Sequence, residues 1–229
     1  MRNRWFIALA AIGLHISIGS VYAWSVLTRP IMADMGFTLS QTTWTFSLAI
    51  LMLGLSAGFL GSFAEKIGPK KSGLLAMLFW VTGLFGTAYA LSIHNLTLLY
   101  LFYGIIGGIG LGIGYITPVS TLVKYFPNRP GFATGLAIMG FGFASLIAGP
   151  LMQYLVAQVG LVDTFIILGV IYLAIMGASS LYLKAPQPKH STRTTKDRST
   201  MYVHTYGMLA NDAMKTWQFG ALWWVFFIN

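Results

Sequence analysis

Six apolar stretches, at residues 5–27, 42–64, 72–92, 97–123, 132–158 and 162–183, constrain this chain more than any other feature. A helix rises 1.5 Å per residue, so about 20 residues cross a hydrocarbon core roughly 30 Å thick, and each stretch is long enough. Lipid offers no partner for an exposed N–H or C=O, so segments of this kind must be helical. Composition agrees. Of the 229 residues, 56% are hydrophobic and 8% charged, where a soluble domain has about a quarter charged. So apolar a surface cannot be held in water, and the bilayer is the solvent.

From 184 to 215 the pattern changes to a polar linker rich in Pro, Ser, Thr, Lys and Arg. A seventh apolar run, 216–229, is 14 residues long, too short to span. The expected organisation is a six-helix transmembrane bundle over 1–183, a linker over 184–215, and over 216–229 the start of a seventh membrane helix inside which the chain is truncated.

Basic residues set the orientation, because cytoplasmic loops collect them. With the N-terminus inside, thirteen of the fourteen Lys and Arg fall on inner segments, and only Arg29 falls on an outer loop. The prediction is a multi-pass protein of the cytoplasmic (inner) membrane, with lipid as its surroundings and both N-terminus and linker in the cytoplasm. The net charge of +9 is scattered over short gaps between apolar runs, which argues against nucleic acid as a partner. A cleaved signal peptide is the rival reading of the first stretch, with Val21-Tyr22-Ala23 as its cleavage site. The stretch exceeds the usual apolar core of about 7–15 residues, and cleavage would leave an odd number of helices.

Sliding the chain against itself by 93 residues aligns Gly19 with Gly112, Tyr22 with Tyr115, Val26 with Val119 and Thr28 with Thr121. A shift of 92 places Gly68 on Gly160. Three helices is an odd number, so the second unit would run inverted through the membrane. Tyr22 then lies about 7 residues, or roughly 10 Å, below the outer surface, and Tyr115 a comparable distance above the inner one. One reading makes the two phenols bracket a pocket at the midplane; the other assigns them to interfacial aromatic belts.

Between the second and third stretches stands Gly61-Ser62-Phe63-Ala64-Glu65-Lys66-Ile67-Gly68-Pro69-Lys70-Lys71. The glycine, the acid four residues on, the base, the second glycine and the further bases resemble the signature of the major facilitator superfamily. Gly61 permits close helix contact, Gly68 permits a tight turn, and Lys66, Lys70 and Lys71 hold the loop in the cytoplasm. Glu65 stands where the family usually has aspartate, with the role of a latch. Gly149-Pro150 in the fifth stretch partly matches a further helix-packing signature of that superfamily. The resemblance implies an all-α membrane protein, the N-terminal half of a major facilitator fold built as a 3+3 inverted repeat, lacking the C-terminal six-helix half. Many proton-coupled members carry an arginine in the fourth helix; here Gly104 or its neighbours occupy that region.

Finer features are similar to the oxalate/formate antiporter family, which includes monocarboxylate carriers. They are Asn3-Arg4-Trp5-Phe6, Tyr22-Ala23-Trp24-Ser25, Gly114-Tyr115, Lys124-Tyr125-Phe126-Pro127-Asn128-Arg129 and Gly131-Phe132-Ala133-Thr134-Gly135. Met208-Leu209, Thr216, Gln218-Phe219, Leu222-Trp223 and Phe226-Phe227 extend the likeness. Carried over by position, Tyr22, Gln41 and Tyr115 contact a carboxylate. Val21 and Phe141 replace a polar amide and a tyrosine of the oxalate carriers, which suits a monocarboxylate. The implied function is secondary transport of a small organic anion by alternating access, without a cofactor. The alternatives are an inert fragment of such a carrier or a facilitator for another solute.

An intramembrane enzyme would need paired acids, a metal cluster or a nucleophile with its base. Asp34, Glu65 and Asp163 are expected in loops, His15 and His94 lack metal-ligand spacing, and cysteine is absent. His15 alone places a titrating imidazole inside the first stretch. The favoured reading is a neutral ring hydrogen-bonded to a neighbouring helix.

Overall fold

The computed structural model describes residues 3–186 and 210–228. They belong to two compact units, 1–186 and 187–229. Most of the linker expected at 184–215 thus lies outside the described residues. Among the described residues all regular structure is helical. In the first unit α1 (Arg4–Met35), α2 (Leu39–Ile67), α3 (Pro69–Ser92), α4 (Leu96–Tyr125) and α5 (Pro130–Tyr182) are each long and apolar enough to cross a membrane. The second unit contains α6 (Ala210–Ala213) and α7 (Trp217–Ile228). The Thr216 hydroxyl accepts from the Phe219 N–H at 3.3 Å and caps α7.

At 53 residues, α5 would be roughly 80 Å long as a straight rod. It is not straight. Gly160 has φ 81° and ψ 178°, outside the helical region, and separates an N-terminal arm (130–159) from a C-terminal arm (161–182). Residues 140 and 179, roughly 60 Å apart on a straight helix, lie against adjacent positions of α1. A Cβ on Gly140 would stand 3.3 Å from Ile12, and one on Gly13 would stand 2.7 Å from the Ser179 hydroxyl. The run is a hairpin folded at Gly160.

The helices outreach the apolar stretches because polar residues close their ends. Asn3 accepts from the Trp5 N–H, Thr38 and Gln41 form a reciprocal capping box, and Asn95 accepts from the Leu98 N–H. Each such cap satisfies donors that a helix start leaves unpaired. The largest difference is at α1, expected to stop at residue 27. It passes through a 3₁₀ turn at Ser20–Ala23 and continues to Met35, ending at Gly36 with φ 68°. One consequence is a correction: Asp34, Glu65 and Asp163 lie in terminal turns of helical segments, not in loops.

Contacts between helix ends show the chain running back and forth. Arg4 lies 5.5 Å over the Phe126 ring, and Trp5 packs edge-on against Phe126 and Phe132. Lys124 pairs with Glu65, and the Tyr125 hydroxyl donates to the Lys184 carbonyl. Residues 4, 65, 124–132 and 184 therefore share one end. At the other end Tyr100 donates to the Gln41 carbonyl, and the Trp24 indole to that of Thr42.

Two glycine rows on α4 set the packing. Gly104, Gly108 and Gly112 face α2, where Cβ atoms would strike Leu48, Met52 and Ala49, and Ser56 with the Leu53 carbonyl. Gly107, Gly110 and Gly114 face α3 at Trp80 and Ala76. Trp80, Trp24 and Phe165 close around the buried ring of Tyr103, joining α1, α3, α4 and the C-terminal arm of α5. Between membrane helices small residues are what permit such approach. Gly112→Leu meets backbone that cannot yield, and it should destabilise the bundle by about 1–3 kcal/mol. Thermal unfolding followed by tryptophan fluorescence checks this, with Gly142→Ala, which meets open space, expected to match wild type.

Candidate functional site

His15 and Tyr22 are seven residues apart, two turns of helix, so α1 presents both on one face. Across from them α4 supplies Tyr115 and the N-terminal arm of α5 supplies Phe141. Phe141 is the hub. Its ring lies 5.3 Å from that of Tyr22, 5.1 Å from that of Tyr115 and 5.7 Å from that of His15. Phe46 of α2 completes the group, 6.2 Å from Tyr22. The structure thus brings the two tyrosines paired by the sequence repeat against one shared ring, that of Phe141.

The cluster grades from dry to open. His15 has no exposure, Phe141 is 6% exposed and Tyr22 is 46% exposed. Gly19 makes this possible, since a Cβ there would strike the Phe141 carbonyl and Ala144. His15 spans three helices: Nδ1 is 2.6 Å from the Ala137 carbonyl oxygen and Nε2 is 3.0 Å from that of Tyr115. The expected bond to one neighbouring helix is in fact a contact with two. Chemically the cluster offers phenolic donors beside aromatic faces, a setting for orienting a small polar solute. Among the described residues no three His, Asp or Glu side chains gather where a metal ion could be held.

Gln41 stands apart in its bonding. Its side-chain oxygen accepts from the Thr38 N–H at 2.9 Å and the Thr38 hydroxyl at 3.1 Å, so the amide serves the capping box of α2. The signature residues lie at the shared helix end. Gly61 packs against Ile116. Gly68 has φ 82° and ψ 161° and is the whole connection between α2 and α3, a conformation that glycine adopts without steric cost. The Glu65 carboxylate accepts from Lys124 Nζ at 3.2 Å, tying α2 to α4. Lys66, Lys70 and Lys71 are exposed. Gly149 is buried, with Val26 of α1 3.8 Å from where a Cβ would stand, and Pro150 beside it is exposed. Glu65 and Lys124 line a cavity of about 60 Å³ together with Thr117, Ser120 and Thr121 among others. That volume suits about two waters, so the tyrosine cluster is the stronger candidate for a solute site.

The model of the Major Facilitator Superfamily matches residues 6–229. The chain belongs to that superfamily. This is a family of transporters, and membership sets the chain among multi-pass membrane transport proteins and apart from enzymes. It is 31% identical to the uncharacterized MFS-type transporter YhjX of Escherichia coli over 85% of its length, covering 47% of that protein. It is 25% identical to the oxalate:formate antiporter of Oxalobacter formigenes over 98% of its length, covering 52% of the relative. It is 28% identical to human monocarboxylate transporter 14 over 74% of its length, covering 33% of the relative. The chain spans about half or less of the length of these relatives.

Sequence reasoning marked Phe141 only as a substitution and His15 only as a single buried imidazole. The seven-residue spacing from His15 to Tyr22 was the available signal. The Glu65 and Lys124 side chains are each about half exposed (49% and 47%). A double-mutant cycle with Glu65→Gln and Lys124→Gln should therefore show coupling of about 0.2–1 kcal/mol, fading at high salt.

Proposed function

We propose that this chain forms one half of a secondary carrier for a small organic anion, working by alternating access in the cytoplasmic membrane. The Tyr22–Phe141–Tyr115 cluster carries the reading: two phenols on different helices flank one aromatic ring, a setting in which a carboxylate could take a hydrogen bond from each. The relatives named for oxalate, formate and monocarboxylates favour the same substrate class. Val21 and Phe141, both buried and apolar, favour a monocarboxylate such as lactate or formate over the dianion oxalate. Gln41, engaged in its capping box, would reach the anion only by exchanging those bonds.

The carrier half consists of six crossings, α5 contributing two, arranged as an inverted 3+3 repeat over 1–183. Three observations support this. Gly68 and Gly160, paired by the sequence shift, share one backbone conformation, φ 82° and 81° with extended ψ. Gly19 packs the first helix on the fifth as Gly112 packs the fourth on the second. The ends carrying the basic residues meet, as positive-inside topology requires. A second six-helix half, reached through the linker at 184–215 and beginning with the helix at 216–229, is the partner that completes the cavity.

Two measurements test these assignments. In the full-length protein Tyr22→Phe or Tyr115→Phe removes one hydrogen bond to a charged group, worth about 1.5–3 kcal/mol, so carboxylate affinity should fall at least about tenfold. Wild-type uptake by both variants would remove the pocket. This chain has no cysteine, so with any cysteine of the second half replaced, Lys70→Cys and Arg29→Cys each give a single labelling position. A membrane-impermeant maleimide applied from outside should modify position 29 and spare position 70; equal labelling of both would refute the topology.

A further inference from the structure

His15 is fully buried, and its two ring nitrogens face two carbonyl oxygens, Ala137 of α5 at 2.6 Å and Tyr115 of α4 at 3.0 Å. A carbonyl can only accept. A neutral imidazole has one N–H, so one of these two contacts would set a ring lone pair against an oxygen lone pair. A ring protonated on both nitrogens donates to both carbonyls. It would also sit 5.5 Å from the near-parallel Tyr115 ring and 5.7 Å from the Phe141 ring, within the range at which a cation is attracted to an aromatic face. The two carbonyl contacts thus favour the charged form, in a place where burial makes charge costly.

Among the described residues of the first unit, no acidic side chain is placed to neutralise that charge. The titratable groups facing His15 are the Tyr115 phenol from α4 and, two turns along its own helix, the Tyr22 phenol. The N-terminal arm of α5 brings Ala137, Gly140 and Phe141, none of which ionises. The C-terminal arm has a single charged residue, Asp163, close to the Gly160 break. The charges of α2 are Glu65 and Lys66 in its last turn, those of α3 are Lys70 and Lys71 in its first, and that of α4 is Lys124 in its last. On α1, Arg4, Arg29 and Asp34 are eleven, fourteen and nineteen residues away.

We propose that His15 is the proton-binding site of this carrier, and that the organic anion bound at the tyrosine cluster is the counter-ion of its imidazolium. The second clause rests on the transport reading above; the first stands on the two carbonyl contacts alone. One proton enters the ring from one compartment as one monocarboxylate binds, and both leave to the other, so the loaded site is neutral. Binding is reciprocal: the anion raises the affinity for the proton by the factor that the proton raises the affinity for the anion.

The test is solid-state NMR of the full-length protein in lipid bilayers, with the His15 ring nitrogens labelled and assigned through the Leu14–His15 peptide. Both nitrogens should be protonated near pH 5.5, and one proton should leave as the pH rises towards 8. Saturating lactate should move that midpoint up by about one pH unit, a tenfold coupling typical of linked sites. A single neutral tautomer from pH 5 to 8, with and without lactate, would overturn the proton site. A titrating ring whose midpoint ignores lactate, formate and oxalate alike would overturn the counter-ion role. Failure of all three anions to be taken up by the wild-type protein counts against the transport reading instead, and leaves the ring titration to speak for the proton site.

Discussion

How near two helix backbones can come decides what this bundle is able to build. In lipid no hydrophobic effect pulls helices together, because the tails outside are as apolar as the side chains. Attraction must come from close packing, and the glycine faces of α4 allow it on two sides at once. Gly108 and Gly112 set that helix on the backbone of α2, while Gly107 and Gly110 set it on Trp80 of α3. Gly19 does the same for α1 on the N-terminal arm of α5. Without these contacts Tyr115 and Phe141 would not reach the face of α1 that carries His15 and Tyr22.

Polar groups then act across the interfaces that glycine has closed. Ser72 and Thr117 join α3 to α4 at 2.6 Å, and the Trp24 indole reaches the Thr42 carbonyl to join α1 to α2. His15 joins three helices through one ring. Such bonds are individually modest in a membrane. Their value lies in fixing rotation, since a helix turned by one residue swings each group by 100° away from its partner. The aromatic cluster inherits its geometry from that fixing.

Much of this was legible in the sequence. The apolar stretches located the helices, because length and hydropathy are the demands a bilayer makes on a chain. Gly68 and Gly160 marked the sharp turns, because positive φ with extended ψ excludes most other residues. Tyr22 and Tyr115 stood out through a repeat. What could not be read were features set by neighbours distant in sequence. Phe141 is one apolar residue among many until its ring is found between two tyrosines. The double contact of His15 depends on carbonyls 100 and 122 residues away. The extension of α1 to Met35 and the terminal-turn positions of Asp34, Glu65 and Asp163 were hidden for another reason: apolar stretches end where lipid ends, whereas helices end where a cap stops them. Gln41 shows how position-by-position likeness and local bonding can diverge, since its amide is occupied at the start of α2.

The single-residue joints at Gly68 and Gly160 bear on how the bundle can deform. A connection with no spare length cannot let one rod slip past its neighbour by even a helical turn. The rods on either side of each joint are therefore geared: tilting one drags the other's near end through the same arc. Large excursions must be shared by whole pairs pivoting together, so the compliance of the molecule resides in the seams between pairs and not within them.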